Sequence, residues 1–165
     1  MSRRINTKDL VEKIERLTRE RMKQEQVVSM DDLRRLRDRK IQRHILIIED
    51  DETIRAALKR AFENDGYHVL AAADGTQLST LLDGAAIDLI LLDVGLPWIN
   101  GLELAEMMKA HDDLKDIPLV FLSARASAAD IKRGFEVGAD DYITKPFNLA
   151  DVQHTIRTLI TLHHD

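Results

Sequence analysis

The sequence predicts an α/β fold, a doubly wound parallel sheet of five strands, each followed by a helix, with a helical arm in front. Three observations carry this. Short continuous apolar runs, clearest within Ile87–Asp93, mark strands buried on both faces of a parallel sheet. Amphipathic stretches of helical period alternate with those runs. Charge divides the chain: residues 1–44 hold 14 Lys plus Arg against 8 Asp plus Glu, and the rest holds 10 against 21. A basic arm, residues 1–43, thus precedes an acidic domain, residues 44–165.

The elements follow in order. In the arm, Thr7 is placed to cap a helix, and Asp9 and Glu12 suit the positive end of its dipole. Leu10, Ile14 and Leu17 form a narrow stripe, flanked by Val11, Thr18 and Met22. The pattern breaks near Val27–Ser29. Ser29 and Asp32 then resemble a capping box for a second helix, with Met30, Leu33, Leu36, Lys40 and Ile41 along one side and a dense set of Arg residues elsewhere. From Ile45 the rhythm alternates. Strands are expected at Ile45–Ile48, Tyr67–Ala72, Ile87–Asp93, Leu119–Leu122 and Asp141–Thr144. Helices are expected at Thr53–Asn64, Thr76–Leu82, Gly101–Lys109, Ala128–Val137, and from the cap Asn148 to about Leu162. Gly66, Gly84 and Gly138 stand where helices should stop.

Composition narrows the functions. The chain has 165 residues and is 44% hydrophobic, enough for one domain with a core and an appendage. Without Cys it has no disulfide, zinc–thiolate or Cys-nucleophile chemistry. No apolar run approaches the roughly 18 residues a membrane span needs. The start, MSRRINTKDLVEKIE, has no apolar core for a secretory signal. The expectation is a cytoplasmic protein without membrane insertion.

The strand ends carry the chemistry. Glu49, Asp50 and Asp51 end the first strand, Asp93 the third, Ser123 the fourth and Lys145 the fifth. In a parallel sheet these ends share one edge, where ligands bind in open α/β folds. Crowded carboxylates repel unless a cation sits among them, and oxygen ligands without His or Cys suit Mg²⁺. With Lys145 and Ser123 facing Asp93, the set suits phosphoryl transfer to a carboxylate nucleophile, Asp93. Taken singly, each residue has an ordinary reading. Asp93 is then a helix N-cap, the acid run a solvated helix start, Ser123 a turn residue and Lys145 a surface lysine. Only the four strand ends taken together carry the chemistry.

The stretches ILIIEDDETIR, DLILLDVGLPWINGLEL and FLSARASAADIKRGFEVGADDYITKPF resemble the receiver domain of bacterial two-component response regulators over residues 45–162. The resemblance implies a flavodoxin-like (βα)5 fold of strand order 2-1-3-4-5. It implies that Asp93 takes a phosphoryl group from the phosphohistidine of a sensor histidine kinase or phosphotransfer protein. Mg²⁺, with Mn²⁺ able to substitute, would be held by Asp50, Asp93 and the carbonyl of Gly95, with Glu49 acting through water. Asp51 falls outside the acidic pair. Ser123 would be the switch hydroxyl and Tyr142 an aromatic switch that rotates inward. Lys145 matches the motif lysine, and its bond to Pro146 is expected to be cis. Gly95 and Arg125 would tune phospho-aspartate lifetime. Trp98 is expected to anchor its loop rather than contact a partner.

From the ending His163-His164-Asp165 the expectation is a stand-alone, chemotaxis-regulator-like receiver without an output domain that signals to a protein effector. Its face would comprise the domain's fourth and fifth helices and fifth strand, with Lys132, Phe135 and Tyr142. A phosphotransfer shuttle or phosphate sink in a phosphorelay is the alternative. No enzymatic activity is expected beyond self-phosphotransfer and autodephosphorylation. The arm has several readings: homodimerisation through residues 7–41, docking, a charged spacer, or, least favoured, nucleic-acid binding. A haloacid-dehalogenase-type phosphatase is disfavoured because Gly95 stands where that family's loop has a second Asp. An interaction module with a dead pocket is disfavoured because the pocket set is complete.

Overall fold

A computed structural model of the chain describes residues 7–22, 30 and 42–164. It separates into two compact units, residues 1–41 and 42–165. In the first unit, helix α1 runs Thr7–Met22. Thr7 is part of that helix rather than a cap ahead of it. Met30 apart, the second arm helix expected around Met30–Ile41 lies outside the described residues.

The second unit alternates strand and helix. Strands β1 (His44–Ile48), β2 (His68–Ala72), β3 (Leu89–Leu92), β4 (Leu119–Ser123) and β5 (Asp141–Thr144) interleave with helices α2 (Glu52–Asn64), α3 (Gly75–Leu82), α4 (Gly101–Ala110), α5 (Ala128–Glu136) and α6 (Leu149–His164). All neighbouring strands pair in parallel, in the order β2-β1-β3-β4-β5. The flavodoxin-like order expected from the resemblance is therefore present.

Alternation along each strand divides the core. Ile45, Ile47, Leu89, Leu91, Val120 and Leu122 face one way, against Leu58 and Phe62 of α2 and Val152, Ile156 and Ile160 of α6. Leu46, Ile48, Ile90, Leu92 and Phe121 face the other way, against Leu78 of α3 and Leu102, Leu104, Ala105 and Met108 of α4. Both faces are covered, so the strands read as unbroken apolar runs. Each fully buried Leu or Ile contributes about 1.5–3 kcal/mol of transfer free energy.

Local signals fix the element ends. Asp51, Asp74, Asn100 and Ser127 each accept a backbone N–H from the first turn of α2, α3, α4 and α5. Asn148 accepts from the Ala150 N–H at 2.8 Å, as the reading of a capped last helix requires. Gly66 (φ 94°) and Gly138 (φ 106°) follow α2 and α5 in the left-handed region, which side chains disfavour.

Several boundaries move. The third strand is shorter at both ends than Ile87–Asp93; just outside it, the Asp88 carboxylate accepts the His44 N–H at 2.7 Å and the Asp93 carboxylate accepts from Lys145. Tyr67 precedes β2, its ring set edge-on to Phe62 at 6.2 Å. α6 continues past Leu162 to His164. No helix among the described residues is long and apolar enough to cross a membrane.

Candidate functional site

The acidic cleft is built from strand ends held by backbone bonds. The Glu49 N–H donates to the Ala72 carbonyl and the Asp93 N–H to the Ile48 carbonyl, extending the ladders just past β1 and β3. Both acids thereby sit at one edge beside each other. Arg55, one turn into α2, donates from Nη1 to the Glu49 carbonyl at 2.9 Å and the Asp50 carbonyl at 3.1 Å, pinning the acidic turn. Nothing in the local sequence pattern had marked that role. It is visible only as an Arg a few residues after the acids.

Lys145 bridges the cleft. Its ammonium donates to Glu49 Oε2 at 2.9 Å, Glu49 Oε1 at 3.1 Å and Asp93 Oδ2 at 3.2 Å. Its side chain is only 16% exposed, so the surface-lysine reading is excluded. The other Asp93 oxygen, Oδ1, accepts the Gly95 N–H at 3.0 Å. Asp93 is therefore not a helix N-cap; Asn100 caps α4. The Lys145–Pro146 bond is cis, as expected.

Carboxylates outnumber the ammonium. Ligand oxygens of Glu49, Asp50 and Asp93 lie within 4.8 Å of one another, with Glu49 and Asp93 buried and Asp50 exposed. Burial pushes the Glu49 carboxyl above its ordinary value, and the negative charge of Asp93 adds to this. The Lys145 pair works the other way, but the rise wins. Burial acts against charge on Lys145 as well, yet the bond to Glu49 and the field of Asp93 raise it overall. One cation thus serves two buried acids while a third reaches solvent. Hard oxygens in this arrangement fit Mg²⁺, which combines one or two carboxylates with water. Asp51, the helix cap, stays outside the group.

Ser123 and Tyr142 sit on the adjoining strands. Ser123 is buried, and its Oγ accepts the Arg125 N–H at 3.1 Å. The Tyr142 hydroxyl donates to the Arg125 carbonyl at 2.6 Å and interacts with the Ser123 side chain. Its ring lies 5.8 Å from that of Phe121 and is buried, so Tyr142 points inward and is no part of an exposed face. Gly134 makes room for it, since a Cβ there would stand 2.7 Å from the ring. Lys132 and Phe135 on α5 are exposed.

Gly95 and Arg125 are both exposed at the cleft rim, on the wall of a hollow of about 360 Å³ shared with Trp98 and Asn100. Trp98 is half-buried against the core, and its ring covers Gly75, where a Cβ would approach it to 3.2 Å. The anchoring reading of Trp98 agrees with this packing, although its indole N–H finds no partner among the described residues.

Fold and cleft define a parallel α/β domain with a lysine-bridged acidic site at the C-terminal edge of its sheet. The response regulator receiver domain family matches residues 45–157, and the chain belongs to that family. Its members signal by phosphorylation and bind Mg²⁺ at an acidic pocket. Among curated relatives, the aerobic respiration control protein ArcA of Escherichia coli K12 is 41% identical over 118 residues, covering 72% of this chain and 48% of its own. The transcriptional regulatory protein CpxR of the same strain is 40% identical over 120 residues, covering 73% and 50%. The chain spans about half the length of these relatives. Among solved structures, the non-phosphorylated HemR receiver domain of Leptospira biflexa matches at TM-score 0.67 and 39% identity, over 73% of this chain and 95% of its own. A CheY-like receiver domain protein of Methanospirillum hungatei matches at TM-score 0.67 and 30% identity, over 74% and 96%. The expectation that nucleic acid is an unlikely partner gains no support from relatives named as transcriptional regulatory proteins.

Proposed function

We propose that Asp93 is the phosphoacceptor of a signalling switch. A carboxylate oxygen of Asp93 attacks the phosphorus of a phosphohistidine on a sensor kinase or phosphotransfer protein. The P–N bond breaks and an acyl phosphate forms. The observation that carries this reading is the Lys145 ammonium, shared between buried Glu49 and Asp93 while Asp50 stays open at ligand distance. Lys145 offsets the charge spreading on the transferring group, and the pinned turn keeps the acids in place. Asp50, Asp93 and the Gly95 carbonyl would hold Mg²⁺, with Glu49 behind water. When bound, the ion neutralises the acidic cluster and the phosphoryl oxygens.

Ser123 reports the new group. Its hydroxyl turns toward the phosphoryl and changes its contact with Tyr142, and with it the environment of α5, β5 and α6. That face, with Lys132 and Phe135 exposed, is what a protein effector reads. The protein works in the cytoplasm, without turning over a separate substrate, and hydrolyses its own acyl phosphate. A second reading follows from the relatives' names: the switch controls transcription.

The test is intact mass after incubation with acetyl phosphate and Mg²⁺. The full chain gains about 80 Da, and Asp93→Asn gains nothing. An adduct that persists in Asp93→Asn, or none in the parent chain, overturns the assignment.

A further inference from the structure

Helix α1 leaves an apolar stripe uncovered. Leu10, Val11, Ile14 and Leu17 are 48%, 51%, 52% and 47% exposed. Thr18 adds a methyl to the same side, because its hydroxyl is turned back to the Ile14 carbonyl at 2.7 Å. Sixteen residues make a helix of about 24 Å, only just beyond the length of about 12–15 residues below which isolated helices are marginal in water. Such a stripe calls for an occupant, and the charges beside it say which.

Leu10, Ile14 and Leu17 fall at the alternating spacings of four and three that define a seam between two helices. The seam alone would accept a second helix in either direction. The flanks decide. On one side of the seam stand Lys13 and Glu20, seven residues apart; on the other stand Val11 and Thr18, also seven apart. Let two copies run antiparallel about a two-fold axis crossing between Glu15 and Arg16. Ile14 then packs on Leu17 of the other copy, Val11 meets Thr18, and Lys13 meets Glu20. Each pairing occurs twice by symmetry. In a parallel pair Lys13 lies instead beside Thr18, and Glu20 meets no cation of α1. Among the described residues neither Lys13 nor Glu20 has another ion-pair partner. The antiparallel arrangement also opposes the two helix dipoles.

We infer that α1 is a self-association element that pairs antiparallel with a second copy of this chain, Ile14 over Leu17 and Lys13 against Glu20. This does not rest on the phosphoacceptor reading. The apolar stripe supplies the attraction, and the two symmetric ion pairs set the direction.

The test uses the full chain and its charge variants in sedimentation equilibrium over a concentration series. The chain is expected to reach a dimer mass, and Ile14→Asp to stay monomeric. Lys13→Glu turns two attractions into two repulsions, which weakens dimerisation about tenfold. Adding Glu20→Lys restores it. A native sequence without Cys allows a second readout of direction. Lys13→Cys mixed with Glu20→Cys should give the mixed disulfide in preference to either same-variant product. A chain that is monomeric at every concentration, a charge swap that fails to rescue, or dominance of same-variant disulfides overturns the inference.

Discussion

The two edges of the one sheet use the same residue type for opposite ends. At the N-terminal edge, Asp88 accepts the His44 N–H at 2.7 Å and Asp140 accepts the Leu119 N–H at 2.9 Å. Imidazoles stand beside both, with His44 and His164 each 3.7 Å from Asp88 and His163 4.0 Å from Asp140. At the C-terminal edge, Glu49 and Asp93 share one ammonium, and Asp50 adds a third charge. The first set completes backbone pairing where strands begin. The second set is left short of positive charge. A carboxylate that satisfies a strand-end N–H stabilises the fold, whereas carboxylates competing for one cation are poised to take another.

That contrast can be broken at several points. The largest effect belongs to Lys145. Lys145→Met should slow phosphorylation by acetyl phosphate by roughly 10²–10³-fold, as loss of a charge-stabilising donor does. Asp88→Ala should leave that rate unchanged. Intact-mass time courses decide, and equal rates for Lys145→Met and the parent chain would remove the lysine from the chemistry.

Stability should order the edges the other way. Asp88→Ala strands the His44 N–H and should cost about 1–3 kcal/mol in urea unfolding. Asp93→Asn, without metal, relieves repulsion and should cost nothing or raise the midpoint. Equal losses at both edges would erase the distinction.

The pH response sharpens it further. Glu49 is raised above its ordinary value of 4.5 by burial and by Asp93. Between that value and the raised one, the folded chain holds a proton that the unfolded chain has released. Metal-free stability from this group therefore increases as pH falls through the window. Mg²⁺ affinity, measured by titration calorimetry, should fall over the same window, and Glu49→Gln should remove both trends. Trends of the same sign would contradict the assignment.

The smallest effect is at the rim. Arg125→Ala should change phospho-aspartate lifetime several-fold and leave the N-terminal edge untouched, since only the backbone of Arg125 is bonded to Ser123 and Tyr142. An unchanged lifetime would limit Arg125 to its backbone role.

The cleft was legible because its members carry charge or a hydroxyl at the ends of apolar runs, and a parallel sheet must bring those ends together. Asp88 and Asp140 were not. An acid at the start of a strand looks like solvated surface until its partner, 44 or 21 residues away, is known to lie opposite. The resemblance implied an inward rotation of Tyr142, but not that its ring already lies inward in this structure. That setting depends on Gly134 leaving space and on a carbonyl 17 residues back.

Periodicity, apolar runs and strand-end acids were enough to give the five strands, the five helices that cover them, and the identity of the residues at the acidic edge. These are local properties, written wherever burial on two faces demands unbroken Leu, Ile and Val. Which carboxylate Lys145 holds, which Asp serves a backbone N–H, and where Tyr142 points were settled by folding alone. Each depends on a distance of a few ångströms between residues far apart in the chain, and no local pattern encodes such a distance.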